Sequence, residues 1–233
     1  MVVKLALLLL GSYLLGSVPA AYLAAKWSRG LDVRQYGTGQ TGAGNLWRMT
    51  SWRLGLPVLI FDMAKGMAPV WAAQLIGLDI AQQVAVGLAA IIGHNWPVFL
   101  RFSGGRGIGT TIGVIVILPL ISDITPWVAV ICLTIGIGGT LIIRSSPVPA
   151  LAGVAMLPLV SWWFNEPLPV ILGFLAILLI VIIKRLTAPK TPFTTLVSRQ
   201  ELLFSRLFFD RDIKDKKTWL KQRPFKQEKQ GED

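Results

Sequence analysis

Cysteine, histidine and charge are all scarce in this chain. Its 233 residues include one cysteine, one histidine and 12 acidic side chains. The lone Cys132 lies in an apolar run, which excludes a disulfide framework and a thiolate metal cluster and leaves it as a small core residue. The lone His94 has no second histidine or cysteine to share a zinc ion, and neither H-E-x-x-H nor H-x-x-E-H spacing occurs. No metal or other cofactor is expected. Charged residues make up 15% of the chain against 53% hydrophobic, with a mean hydropathy of +0.61. A soluble domain of this length would carry more charge.

The abundant feature is the long apolar run. Seven such segments can be drawn, near 3–25, 54–77, 81–100, 108–122, 124–143, 147–164 and 168–184. Most approach or exceed the roughly 17–25 residues that cross a bilayer as a helix. The fourth is short, so it is expected to tilt little, to begin in the preceding loop, or to be partly re-entrant. The first could imitate a signal peptide, but its length and the spans that follow make it a transmembrane helix. The fold class expected is an all-α integral membrane protein of about seven transmembrane helices. The division expected is a membrane domain over 1–186 and a basic tail over 187–233. Within the tail, "ELLFSRLFF" is apolar enough to lie on the membrane as a short amphipathic helix, with mobile mixed charges beyond it.

The net charge of +11 could suggest nucleic acid, but 13 of the 23 Lys and Arg residues lie from Lys184 onward, flanking the last span. That pattern suits anionic lipid headgroups on the cytoplasmic side, and no nucleic-acid partner is expected. Loops one, three and five carry the other loop cations, among them Lys26, Arg34, Arg48, Arg101, Arg106 and Arg144. Loops two, four and six carry only Asp79, Asp123 and Glu166. The alternation predicts an outside N-terminus and a cytoplasmic C-terminus. Trp27, Trp52, Trp96, Trp127, Trp162 and Trp163 fall near span ends, as an aromatic belt would.

Two glycine-rich stretches lie in the positive loops. "RQYGTGQTGAGNLWR" places Gly37, Gly39 and Gly42 in G-x-G-x-x-G spacing. A transmembrane helix precedes it where a dinucleotide fold needs a strand, so that reading is rejected. Glycines still let backbone N–H groups turn toward one anion, with Arg34 or Arg48 as counter-charge; the alternative is a tight membrane loop whose arginines meet lipid phosphates. "SGGRG", Ser103 to Gly107, stands directly ahead of the fourth segment, where a helix N-terminus and Arg106 would attract an anion. Two such loops on one face suggest two phosphates.

His94 reads most simply as a helix-end histidine bonded to a backbone carbonyl, with catalysis as the other reading. Asp62 and Lys65 share a helix face inside the second span, where an unpaired charge costs about 2.5–3.5 kcal/mol. A structural ion pair is the simple account, and Asp62 could also orient an arginine.

These motifs resemble the PlsY family, the bacterial acyl-phosphate:glycerol-3-phosphate acyltransferases, over roughly residues 11–184. The matching pieces are "GSVP" at 16–19, "DVR" at 32–34, "GTGQTGAGNLWR", Asp62 with Lys65 and Gly66, "GHNWPVF" and "GGRG". The resemblance implies a multi-pass protein of the bacterial cell membrane that transfers a fatty acyl group from acyl phosphate to glycerol 3-phosphate. It implies catalytic roles for Thr38, Arg48 and Arg106, and substrate contacts from Gly37, Gly39, Gln40, Gly42, Asn45, Lys65, Ser103, Gly104 and Gly105. The chain departs from the family pattern at Thr38 (serine in the family), Gln40 (asparagine), Arg106 (lysine) and Gly44 (threonine). It also lacks the histidine and asparagine that close the family's last span, where Lys184 and Arg185 are the substitutes at hand. Arg144 with Ser145 and Ser146 weakly matches a third family motif. The alternative is a non-catalytic relative that binds a phosphorylated lipid or metabolite at the cytoplasmic face. A transporter is a third reading, though the chain shows no repeat between its halves.

Overall fold

The computed structural model describes residues 2–189 and 191–221, and all regular structure among them is helical. Helices α1 (Val2–Gly16) and α2 (Ala20–Arg29) form one stretch broken at 17–19, where Pro19 has no N–H to continue the ladder. A short α3 (Ala43–Met49) interrupts the first glycine-rich loop and was not legible as a helix in the sequence. There follow α4 (Trp52–Leu75), α5 (Ile80–Asn95) and α6 (Ile108–Ile121). Next, α7 (Pro126–Leu133) and α8 (Gly139–Ile143) are joined by a π-helical turn over Thr134–Gly138. Then come α9 (Pro147–Trp163), α10 (Leu168–Leu186), α11 (Arg199–Phe209) and α12 (Lys216–Lys221).

Every expected apolar segment is helical at about its expected place. Five stretches are long and apolar enough to cross a membrane: Val2–Arg29, Trp52–Leu75, Ile80–Leu100, Pro126–Ile143 and Leu168–Leu186. Ile108–Ile121 and Pro147–Trp163 are apolar but shorter. The 14 residues of α6 span about 21 Å at 1.5 Å per residue, less than a hydrocarbon core. The preceding loop accounts for this. It packs against the end of α5, where the Gly105 N–H donates to the His94 carbonyl at 3.2 Å, so α6 starts at the depth of His94.

Small residues let the helices approach closely, as they do where lipid supplies no hydrophobic drive between helices. A Cβ on Gly66 of α4 would lie 2.3 Å from the Thr110 carbonyl oxygen of α6, and one on Gly93 of α5 would lie 2.2 Å from that of Tyr13 in α1. Buried Val70, Val114, Leu118, Leu157, Phe174 and Ile177 fill the centre, while Leu7, Leu10, Leu141, Ile142, Leu172 and Leu179 are exposed on the outside, where lipid would meet them. Trp27, Trp52, Trp127, Trp162 and Trp163 are exposed as well.

The tail forms a short helix with Leu203, Phe204 and Phe208 exposed along it, and it folds onto the bundle. Helix α11 contains "ELLFSRLFF", but its Ser205 and Arg206 are buried and the helix packs on α9 and α10. Arg206 is the reason. Its guanidinium donates to the Leu186 carbonyl at 2.9 Å and to Asp212 at 2.7 Å, drawing the helix onto the end of α10. Residues 222–233, the rest of the mixed-charge stretch, lie outside the described residues.

Candidate active site

Loops one, three and five and the end of α10 meet at one end of the bundle around a cavity of about 300 Å³. Thr38, Arg48 and Arg106 all line it, as do Gln40, Gly42 and Arg185. A second cavity of about 230 Å³ adjoins it, sharing Thr38, Gln40 and Arg106 and adding Arg34, Ser103 and Lys184; Gly39 and Gly104 border it too. The acidic loops are elsewhere and meet one another: the Thr125 N–H donates to Glu166 at 2.8 Å, and Asp79 caps α5.

Asn45 organises the first loop. Its amide nitrogen donates to the carbonyls of Val33, Tyr36 and Gln40 at 3.0–3.2 Å, and its oxygen accepts the Thr38 N–H at 2.9 Å. These contacts use its donors to shape the loop that presents Thr38, and Asn45 also borders the larger cavity. Gly37 is part of the same device rather than a cavity wall. Its φ is +55°, and a Cβ there would lie 2.4 Å from the Asn45 oxygen. Arg34 is held by Asp32 at 2.7 and 2.9 Å and stacks on Tyr22. That hydrogen-bonded pairing lowers the Asp32 carboxyl below its usual range and raises the Arg34 guanidinium.

The second loop leans on His94. A Cβ on Gly105 would lie 2.3 Å from its Nε2, so Gly105 is glycine for close approach and lines neither cavity. The His94 Nδ1 lies 3.5 Å from Asp62 Oδ1, which corrects the backbone carbonyl expected as its partner. Both His94 and Asp62 border the larger cavity, though both are nearly fully buried. Lys65 pairs with Asp62 at 2.9 Å and donates to the Val18 carbonyl at 3.2 Å. It lines neither cavity and forms the buried ion pair that the sequence offered as the simple account.

The end of α10 contributes less free charge than its sequence suggests. Lys184 donates to the Asn95 carbonyl and sits over the Trp96 ring, while Arg185 donates to the carbonyls of Pro147 and Leu207. The Ser145 and Ser146 side of loop five borders the larger cavity, whereas Arg144 caps α8 and is exposed. The residues that sequence reasoning missed come from the tail. Asp210, Arg211 and Trp219 line both cavities. Asp210 pairs with Arg106 at 2.8 Å and accepts a hydrogen bond from the Gln40 amide at 2.7 Å. Nothing local in the sequence signals a contact across 170 positions. Among the described residues, no three His, Cys, Asp or Glu side chains gather as a metal site.

A cation-rich cavity at the end of a membrane bundle, edged by two glycine loops, suits phosphate-bearing substrates with an apolar part in the lipid. Comparison with known proteins agrees. The family model described as glycerol-3-phosphate acyltransferase matches residues 6–190. Glycerol-3-phosphate acyltransferase 5 of Dehalococcoides mccartyi strain 195 is 42% identical over 217 residues, covering 91% of this chain and 90% of its own. The Laribacter hongkongensis glycerol-3-phosphate acyltransferase is 38% identical, over 75% of this chain and 85% of its own. The crystal structure of PlsY, an integral membrane glycerol 3-phosphate acyltransferase in its glycerol 3-phosphate form, superposes with a TM-score of 0.71 and 28% identity. It covers 78% of this chain and 88% of that one. The match runs through every span and both glycine loops, and the chain belongs to the glycerol-3-phosphate acyltransferase family.

Proposed function

We propose that this membrane acyltransferase moves a fatty acyl group from acyl phosphate to the 1-hydroxyl of glycerol 3-phosphate, releasing lysophosphatidate and inorganic phosphate. The observation that carries the site assignment is the meeting of Thr38, Arg48 and Arg106 on one cavity, from loops far apart in sequence. The positive charge of these loops supports a cytoplasmic position for the cavity, where both substrates can present phosphate while the acyl chain stays in the bilayer.

The acceptor oxygen forms a bond to the acyl carbon, and the bond from that carbon to the phosphate oxygen breaks. Arg48 and Arg106 clamp phosphate and stabilise charge as it develops on the leaving group. Thr38 hydrogen-bonds substrate, held by its backbone N–H to Asn45. The departing phosphate takes the hydroxyl proton, so no side-chain base is required. Phosphate release from palmitoyl phosphate, with and without glycerol 3-phosphate, tests this. Acceptor-dependent release that Arg48→Ala abolishes is expected. A protein inert toward a range of donors and acceptors would instead be a binding relative.

A further inference from the structure

The family model ends at residue 190, yet the chain beyond it closes over the cavity with side chains of its own. The Dehalococcoides relative covers 91% of the chain, which carries that match into the same segment. Within it, Asp210 ends α11 in the left-handed region at φ 56°, a conformation aspartate tolerates better than most residues. From there its two carboxylate oxygens face different loops, one toward Arg106 at 2.8 Å and the other toward the Gln40 amide at 2.7 Å.

The tail that presents Asp210 is fixed. Arg206 binds Asp212 and the Leu186 carbonyl, and Asp212 also accepts the hydroxyls of Thr191 and Thr194 at 2.6 and 2.9 Å. Arg185 reaches from α10 to the Leu207 carbonyl. Both Arg206 and Asp212 are buried. Arg106 is correspondingly constrained. One terminal nitrogen meets Asp210, the other donates to the Lys184 carbonyl, and its buried Nε has no hydrogen-bond partner among the described residues. A long arginine side chain in an open cavity would otherwise lose rotamer freedom on binding an anion.

We propose that Asp210 is a positioning residue of the acyltransferase site: the docked tail uses its carboxylate to hold the Arg106 guanidinium and the Gln40 carboxamide ready for substrate phosphate. The inference rests on the reading that Arg106 holds phosphate. It gives the segment after residue 190 a part in the active site.

The test uses the full chain in detergent or vesicles, with Asp210→Asn and Asp210→Glu, Arg106→Gln, and Asp210→Asn in the Arg106→Gln background. Steady-state turnover of palmitoyl phosphate is measured against glycerol 3-phosphate, and acceptor binding by calorimetry. Loss of a charge-assisted contact predicts that Asp210→Asn lowers kcat/KM for glycerol 3-phosphate about 10- to 100-fold, mainly through KM, with Asp210→Glu recovering part of it. In the Arg106→Gln background the same change should cost clearly less than in the wild type, because the Arg106 part of its action is already gone and only the Gln40 contact is left to lose. Wild-type kinetics in Asp210→Asn would overturn the proposal. So would a lower KM, which would make the carboxylate a competitor of phosphate, or an undiminished loss in the Arg106→Gln background. Arg48→Ala separates the parent reading: full activity there would sink the catalytic assignment while the Asp210–Arg106 cycle still reports. A wild type without turnover reports through calorimetry, where weaker binding on Asp210→Asn supports the coupling and no binding by the wild type overturns both readings.

Discussion

Two carboxylates border the same cavity and hold cations in opposite ways. Asp62 lies inside the bundle with Lys65 one helical turn away, and both side chains are almost wholly buried. Asp210 comes from the tail, and its partners Arg106 and Gln40 belong to two other loops. The Asp210–Arg106 pair keeps slight exposure, at 13% and 14% of the side chains. The first pair is local in sequence and deeply desolvated, so it governs whether the bundle forms. The second is distant in sequence and wetter, so it governs how a formed site is set. Burial, more than distance to the cavity, decides which kind of defect a substitution produces.

The largest effect should follow from breaking the buried pair. Asp62→Ala leaves Lys65 charged and unpaired among helices and removes the neighbour of His94. We expect about 3–5 kcal/mol of destabilisation and little protein in the membrane fraction. Asp62→Ala with Lys65→Met should recover accumulation, because no charge is then left alone. Accumulation and thermal midpoint of the two variants beside Asp210→Asn would check the contrast. If Asp62→Ala is as stable as Asp210→Asn, burial does not separate the two carboxylates.

A smaller effect is expected where the second loop meets α5. In Gly105→Ala the new methyl would stand 2.3 Å from His94 Nε2, and the buried imidazole ring has little room to move aside. Overpacking of this kind costs about 1–3 kcal/mol. Because the shift lands on the loop carrying Arg106, turnover should fall more than stability does. Gly30→Ala, at a positive φ with open space around it, controls for a glycine whose loss perturbs no site. Equal losses of turnover in both would remove the case for the His94 contact.

The tail offers a pH test of its docking. Burial alone would raise the Asp212 carboxyl, but the Arg206 guanidinium and the hydroxyls of Thr191 and Thr194 outweigh it and hold it below the ordinary 3.8. A depressed folded-state value contributes stability above the undocked value, and that stability is lost as pH falls through the folded one. Docking should therefore be constant above about pH 5 and weaken progressively below the ordinary carboxylate range. Trp219 is 7% exposed and lies 6.2 Å from the Phe193 ring, so its environment reports the docked state. Protease cleavage of the tail at stepped pH would follow the same event. Asp212→Asn should loosen the tail at neutral pH and flatten the acid dependence; an unchanged profile would mean that another group fastens it.

The contrast also explains what the sequence made visible. Apolar length and the alternation of loop charge are properties of contiguous stretches, so the helical segments and the separation of basic from acidic loops were readable. The Asp62–Lys65 pair was readable for the same reason, since three positions in a helix dictate a shared face. The short α6 was flagged by its length, but its cause, a loop set against His94, needs contacts between different helices. Asn45 looked like a ligand because an asparagine in a glycine loop can serve as either ligand or staple. Its four hydrogen bonds, which join distant loop positions, reveal the staple, and it borders the cavity as well. Arg206 was hidden inside the apolar "ELLFSRLFF", and Asp210 at the head of a mixed-charge stretch whose composition suits mobility. Their order comes from carbonyls at the end of α10 and from Arg106, partners that no window of sequence contains together.

A third carboxylate gives the smallest effect and the cleanest control. Asp79 caps α5 in a box with Gln82, with both bonds spanning three residues and open to solvent. Its contacts are as local as those of Asp62 but as exposed as any on the molecule, and it lies in the acidic loops away from the cavities. Asp79→Ala should cost about 0.5–2 kcal/mol of stability, the ordinary worth of an N-cap, and leave KM and kcat for glycerol 3-phosphate within about twofold. Substitution at Asp62 should then show chiefly in accumulation, at Asp210 chiefly in KM, and at Asp79 in a small shift of the thermal midpoint. If Asp79→Ala moved KM as far as Asp210→Asn, the Asp210 effect would reflect a general loosening of the bundle rather than a contact with Arg106.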